Sequence, residues 1–206
     1  MRIEKNRVLV QIGVYDGIDE FNCIVKHSAP SKLILVEPNK DMNPTIKHSY
    51  RHMKNWVIEN VAITEVTKGE VELVHPVHIG RSNHQFYNKC FSLLPMDDWG
   101  DNFKKVKVQS MSFMDLCAKH KITNIHFLQI DTEGYDAEII KSIDFSKVEI
   151  DIIKYENWDF PEECFTRYGE KKKQYGINGM QQVKVLLEGL GYTLDEGKAD
   201  IIAVKE

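Results

Sequence analysis

The chain has 206 residues, 42% of them hydrophobic and 28% charged, with a formal net charge of -4. That length and balance predict one domain, residues 1–206, with a substantial buried core, and exclude a disordered chain. The mild acidity leaves no basic footprint for nucleic acid, and no apolar run is long enough to span a bilayer.

The N-terminus, MRIEKNRVLVQIG, passes from charges straight into a strand and shows no cleavable signal pattern. Cys23, Cys90, Cys117 and Cys164 are widely spaced and form no CxxC pair, which predicts reduced thiols in a cytoplasmic protein. Residues 7–12 form an almost wholly apolar strand, as a central parallel strand should be. It runs into Gly13-Val14-Tyr15-Asp16-Gly17, a loop in which Gly13 lets backbone approach closely and Gly17 allows a turn closed to other residues. This is not the GxGxxG dinucleotide fingerprint, because Tyr15 stands where its second glycine belongs. A plain strand–helix turn remains the alternative for the loop taken alone.

A helix over residues 20–27 is broken by Ala29-Pro30-Ser31, and residues 32–36 form the second strand, ending in Glu37-Pro38-Asn39. Glu37 follows the glycine loop by about 20 residues, the spacing at which a carboxylate accepts hydrogen bonds from ribose hydroxyls. Asn43 reads as a helix N-cap with Pro44 at the first helical position, and that helix runs to about Met53. Residues 56–63 read as a third strand. Asn60-Val61 near its end can meet an adenine edge, and Asn60 serves equally as a turn residue. Residues 69–74 alternate as an exposed antiparallel strand does.

Residues 75–101 are the least regular part and hold His75, His78, His84, Arg81, Asn83, Ser92 and Trp99. The histidine spacing matches no zinc pattern, and no metal is assigned. A stretch this long suits a substrate-side loop. Residues 106–109 form a short strand, and Ser112 with Asp115 resembles a capping box opening a helix to about His120.

Residues 127–140, FLQIDTEGYDAEII, are the centre of the chain: a buried strand, then Asp131-Thr132-Glu133-Gly134, then a helix start. An acid-rich turn at the carboxyl end of a strand is where open α/β sheets place their chemistry. Capping by Asp131 or Thr132 explains one acid there, not two acids and a glycine in four residues. Residues 148–156 form the next strand, which brings Glu156 to the same edge as Glu37 and Asp131. Residues 159–178 form a second substrate-side segment carrying Lys171-Lys172-Lys173. A helix from Gly179 to about Leu190 and a hairpin over residues 192–204 close the chain, so the last strand runs antiparallel to the others. Alternating strands and helices ending in a hairpin argue for a doubly wound α/β sheet.

These blocks, VLVQIGVYDG, VEPN, ENVAIT, FLQIDTEGYDAEII and IIKYE, resemble the FkbM-type methyltransferases in content and order, over residues 8–156. The resemblance implies a Rossmann-like, doubly wound, mostly parallel seven-stranded sheet with a C-terminal antiparallel hairpin, and an S-adenosylmethionine-dependent enzyme that methylates a hydroxyl oxygen of a sugar, glycan or small metabolite. It places Gly13, Tyr15, Asp16 and Gly17 near the methionine part of the cofactor, Glu37 and Pro38 at the ribose, Asn60 and Val61 near the adenine, and Asp131 beside the sulfonium. Tyr15 departs from the commoner small-residue loop of the family. A hydroxyl acceptor needs a general base. Asp131 is the first candidate, followed by Glu133, Glu156 and His75. The rival readings are an NAD-dependent oxidoreductase, weakened by the broken GxGxxG, and a non-catalytic protein that keeps the fold.

Overall fold

The computed structural model describes residues 7–76, 91–94, 103–157 and 173–206. Expectations for His78, Arg81, Asn83, His84, Trp99, Cys90, Cys164 and residues 159–172 lie outside these. Among the described residues ten strands are present: β1 (Val8–Ile12), β2 (Lys32–Val36), β3 (Trp56–Glu59), β4 (Ala62–Thr64), β5 (Glu70–Pro76), β6 (Phe103–Ser112), β7 (Asn124–Ile130), β8 (Glu149–Glu156), β9 (Tyr192–Glu196) and β10 (Asp200–Lys205). Between them run α1 (Glu20–Ser28), α2 (Asn43–Ser49), α3 (Phe113–His120), α4 (Asp136–Lys141) and α5 (Gly179–Gly189).

Seven strands form one sheet in the order β3-β2-β1-β7-β8-β10-β9. The first five pair in parallel, and β10 is antiparallel to both β8 and β9. This is the doubly wound sheet with a terminal hairpin that the sequence predicts. Chain order reverses between β1 and β7, so the crevice above their carboxyl ends is the switch point where such sheets hold ligands.

Each face of the sheet has its own core. Val10 and Ile12 of β1 join Leu128 and Ile130 of β7 against α3, α4 and α5, through Phe113, Leu116, Ile139, Ile140, Val183 and Leu187. Leu9 and Phe127 turn to the other side and pack with Leu33, Leu35, Phe21 and Val25 of α1, and Ile46 of α2. The two-residue alternation of the strands makes this division.

Three expectations need correction. Residues 56–63 are not one strand: β3 belongs to the main sheet, whereas β4 leaves it to pair with β6 in a second, three-stranded sheet ordered β4-β6-β5. The ladder stops where Asn60 donates its side-chain amide to the Glu37 carbonyl oxygen at 2.7 Å, just beyond the rung from Glu37 N–H to the Glu59 carbonyl at 3.0 Å. Asn43 is not a helix cap either. Its amide and that of Asn60 exchange two hydrogen bonds of 2.9 Å, while Asn39 caps the preceding 3-10 turn, Lys40–Met42. α2 also ends at Ser49 rather than Met53, and the next residue, Tyr50, is buried.

The turns after β1 and β7 touch. Gly13 has φ +82°, and a Cβ there would lie 1.7 Å from the Asp131 carbonyl oxygen. Gly13→Ala should therefore fail to fold natively or lose at least about 3 kcal/mol, from left-handed strain and overpacking together. Gly189→Ala, where a new Cβ meets nothing within 4 Å, serves as the control. Urea unfolding of the two variants checks the contrast, and equal midpoints would contradict it.

Candidate active site

A cleft of about 230 Å³ opens at the switch point. Its floor is Ile12 to Asp16 with Asp131, Thr132 and Glu133; one side is Val36, Glu37 and Pro38; the far wall is Val61, Ala62, Ile63, Leu73, Phe91, Leu93 and Tyr135. The small sheet contributes to that wall, with Ala62 and Ile63 from β4 and Leu73 from β5.

The glycine loop is held from below and from the side. Below it, Tyr50 hydroxyl donates to Gln11 Oε1 at 3.2 Å, and Gln11 Nε2 donates to Asp19 Oδ2 at 2.6 Å. Asp19 also caps α1 by accepting the Asn22 N–H at 3.0 Å. Gly17, with φ +67°, sits so close to Tyr50 that a Cβ would come within 2.7 Å of the ring. Gly17 is absent from the cleft lining; it shapes the loop from underneath. Sequence reasoning missed Gln11 and Tyr50. A glutamine inside an apolar strand was the available signal, because a buried amide needs partners.

From the side, Glu37 fixes the loop. Its Oε2 accepts the Tyr15 N–H at 2.7 Å and its Oε1 accepts the Asn39 N–H at 2.8 Å. The residue is only 5% exposed. Burial pushes its carboxyl up to about 7, against the opposing pull of these backbone donors. Tyr15 adopts φ +51° and Glu133 φ +57°, left-handed conformations that cost a side-chained residue energy and persist where the surroundings over-determine them. They stand at the two turns that form the cleft floor.

Asp131 lies at the floor, reached by solvent. The protein enclosing it raises its pKa well above the usual carboxylate range, and the charges of Glu133, Asp136, Asp200 and Asp19 push in the same direction. It is not a helix cap: α4 starts at Asp136, after Tyr135, with no side-chain cap bond. Five acids line the cleft, Asp16, Asp19, Glu37, Asp131 and Glu133, and no lysine, arginine or histidine is among its described lining residues. Such a cleft favours a cationic or neutral ligand and opposes a polyphosphate.

The remaining candidates fall elsewhere. Asn60 is outside the lining, and its side-chain amide donates to the Glu37 carbonyl and to Asn43, which braces the strand end as a turn residue would. Its neighbour Val61 does line the cleft. Glu156 borders a separate small recess with Gly134, Asp136 and Tyr175, and its Oε2 accepts the Gly134 N–H at 2.9 Å. His75 is also outside the lining; it stacks on Phe91 at 4.2 Å and 5°. Asp131 and Glu133 are therefore the two base candidates that the fold brings into the cleft.

A family model described as methyltransferase FkbM domain matches residues 11–194. Among solved structures, the chain is similar to methyltransferase FkbM from Methylobacillus flagellatus KT, with TM-score 0.53, 10% identity, and coverage of 98% of this chain and 44% of that one. This chain thus spans less than half the length of that protein's chain. It is also similar to an O-methyltransferase from Bacillus cereus in complex with SAH, with TM-score 0.47, 10% identity, and coverage of 97% and 74%. Aeropyrum pernix fibrillarin with natively bound S-adenosyl-L-methionine gives TM-score 0.45, 11% identity, and coverage of 99% and 69%. No curated protein matches. At these identities, the first similarity speaks for the fold alone.

The buried Glu37 carboxyl generates a prediction of its own. Carbon-13 titration of the ligand-free protein should show a glutamate midpoint near 7 that disappears in Glu37→Gln. A spectrum in which every glutamate titrates near the ordinary value of about 4.3 would contradict it.

Proposed function

The chain belongs to the FkbM methyltransferase family, and on that premise we propose that it transfers a methyl group from S-adenosylmethionine to a hydroxyl oxygen of a sugar, glycan or small metabolite. The observation that carries the reading is the pairing, across one cleft, of the Glu37 carboxyl with the acids Asp16, Asp131 and Glu133 of its floor.

The residues fit that cofactor. Glu37 offers acceptor oxygens beside the glycine loop, which suits a ribose diol. Val36, Pro38, Val61 and Ala62 supply apolar surface for a purine. Asp131 and Glu133 offset a positive charge, which a sulfonium brings and a dinucleotide pyrophosphate does not. When bound, S-adenosylmethionine supplies the electrophilic methyl group. The protein's part is to align the acceptor oxygen and to take its proton. Asp131 is the proposed base. Its raised pKa makes the ionised carboxylate a stronger proton acceptor than an ordinary aspartate. Glu133 is the alternative. The net charge of -4 favours a small-molecule or glycan acceptor over nucleic acid.

Calorimetric titration with S-adenosylhomocysteine, with NAD as comparator, tests the reading. The first should bind and the second should not. Glu37→Ala should weaken binding at least about ten-fold, as expected for hydrogen bonds to a charged acceptor. The pH dependence has a fixed sign. Ribose hydroxyls donate to the ionised carboxylate, so binding favours the deprotonated form of a group whose pKa in the free protein is about 7. Affinity should fall as pH drops below 7, by up to roughly ten-fold between pH 8 and pH 6. NAD binding in place of S-adenosylhomocysteine would overturn the reading. Binding without turnover across a broad hydroxyl panel would favour a non-catalytic protein. Once an acceptor is found, Asp131→Asn should abolish transfer while cofactor binding survives, and unchanged turnover would remove Asp131 as the base.

A further inference from the structure

The turn that carries Asp131 runs from residue 131 to residue 135 between β7 and α4. No side-chain cap of α4 holds it. Two acids outside the cleft do. Asp136 is 3% exposed. Its Oδ1 accepts the Thr132 N–H at 2.9 Å and also the Thr132 hydroxyl, and its Oδ2 accepts the N–H of Glu156 at 3.0 Å. Glu156 answers from the end of β8, where its Oε2 accepts the Gly134 N–H at 2.9 Å.

The bonds are reciprocal. The Asp136 side chain grips the backbone of β8 and the start of the turn, and the Glu156 side chain grips the far end of the turn. Between the gripped residues, Thr132 and Gly134, lies Glu133 at φ +57°. Its carbonyl oxygen is fixed too, accepting the Ser92 hydroxyl at 3.0 Å. A non-glycine residue in that conformation relaxes unless it is over-determined. If the turn relaxed, Asp131, which immediately precedes Thr132, would change direction.

We propose that Asp136 and Glu156 are positioning residues which together aim the Asp131 carboxylate into the cleft, with Glu156 acting as a strap on the turn and not as a base. The proposal rests on the reading of Asp131 as the neighbour of a sulfonium. It needs no knowledge of the methyl acceptor, because S-adenosylmethionine and S-adenosylhomocysteine differ by one methyl group and one positive charge. The ratio of their affinities reports how well a carboxylate is aimed at that charge.

The test is calorimetry of both ligands on the full chain and on Asp131→Asn, Asp136→Asn, Glu156→Ala and Glu156→Gln. The wild-type chain should prefer the charged ligand, and Asp131→Asn should lose that preference. Asp136→Asn and Glu156→Ala should lower the preference at least about five-fold and leave S-adenosylhomocysteine affinity within about two-fold, since the Glu37 side of the cleft is untouched. Glu156→Gln, which keeps an acceptor oxygen for the Gly134 N–H, should retain the wild-type ratio. If Asp136→Asn does not fold, Thr132→Val removes only the hydroxyl donor and should lower the ratio in the same direction. An unchanged ratio in Asp136→Asn or, in its place, Thr132→Val, or in Glu156→Ala, overturns the proposal. So does equal weakening of both ligands, or a Glu156→Gln variant as impaired as Glu156→Ala. A wild-type chain that binds neither ligand overturns the methyltransferase reading and this inference with it.

Discussion

The contact between Gly13 and the Asp131 carbonyl oxygen is the constraint from which the rest of the site follows. β1 and β7 are neighbours in parallel register, and their ladder continues past both strands through Asp131 N–H to the Ile12 carbonyl at 2.9 Å. Two adjacent strands that run to the same edge must then send their chains apart within one or two residues. A glycine in a left-handed conformation lets the β1 chain turn without a side chain in the path of the other. The loop that carries Tyr15 leaves in one direction and the acid turn leaves in the other. The cleft is the gap between them.

Charge gives that gap its character. The floor gathers carboxyl groups, and enclosure pushes both Glu37 and Asp131 upward in pKa. The two are poised differently. Glu37 is locked by backbone donors and belongs to the frame of the loop, whereas solvent reaches Asp131. A cation that enters stabilises the ionised form of Asp131, the proposed base. In the proposed reaction, cofactor and base are coupled electrostatically before any acceptor arrives.

Much of this was legible in the sequence because it is written in local signals. β1, β2, β7, β8 and the terminal hairpin announce themselves as apolar runs or alternation, and Ser112 caps α3 through the Asp115 N–H at 3.0 Å, as its spacing implies. Glu37 could be found from its distance to the glycine loop. What stayed hidden depends on partners far along the chain. The break between β3 and β4 falls at Glu59-Asn60, but the partners that fix Asn60, the Glu37 carbonyl and Asn43, lie far from it in sequence. Glu156 reads as a fourth acid on an acidic edge until Gly134, 22 residues earlier, is seen to occupy its Oε2. Gln11 looked like a blemish in a strand and is the post on which Asp19 and Tyr50 hang.

The far wall has a consequence for how such a protein can change. Ile63 and Leu73 come from the three-stranded sheet, which shares no ladder with the sheet that sets Glu37 and Asp131. Substitutions there alter the shape of one side of the cleft without disturbing the register of the other.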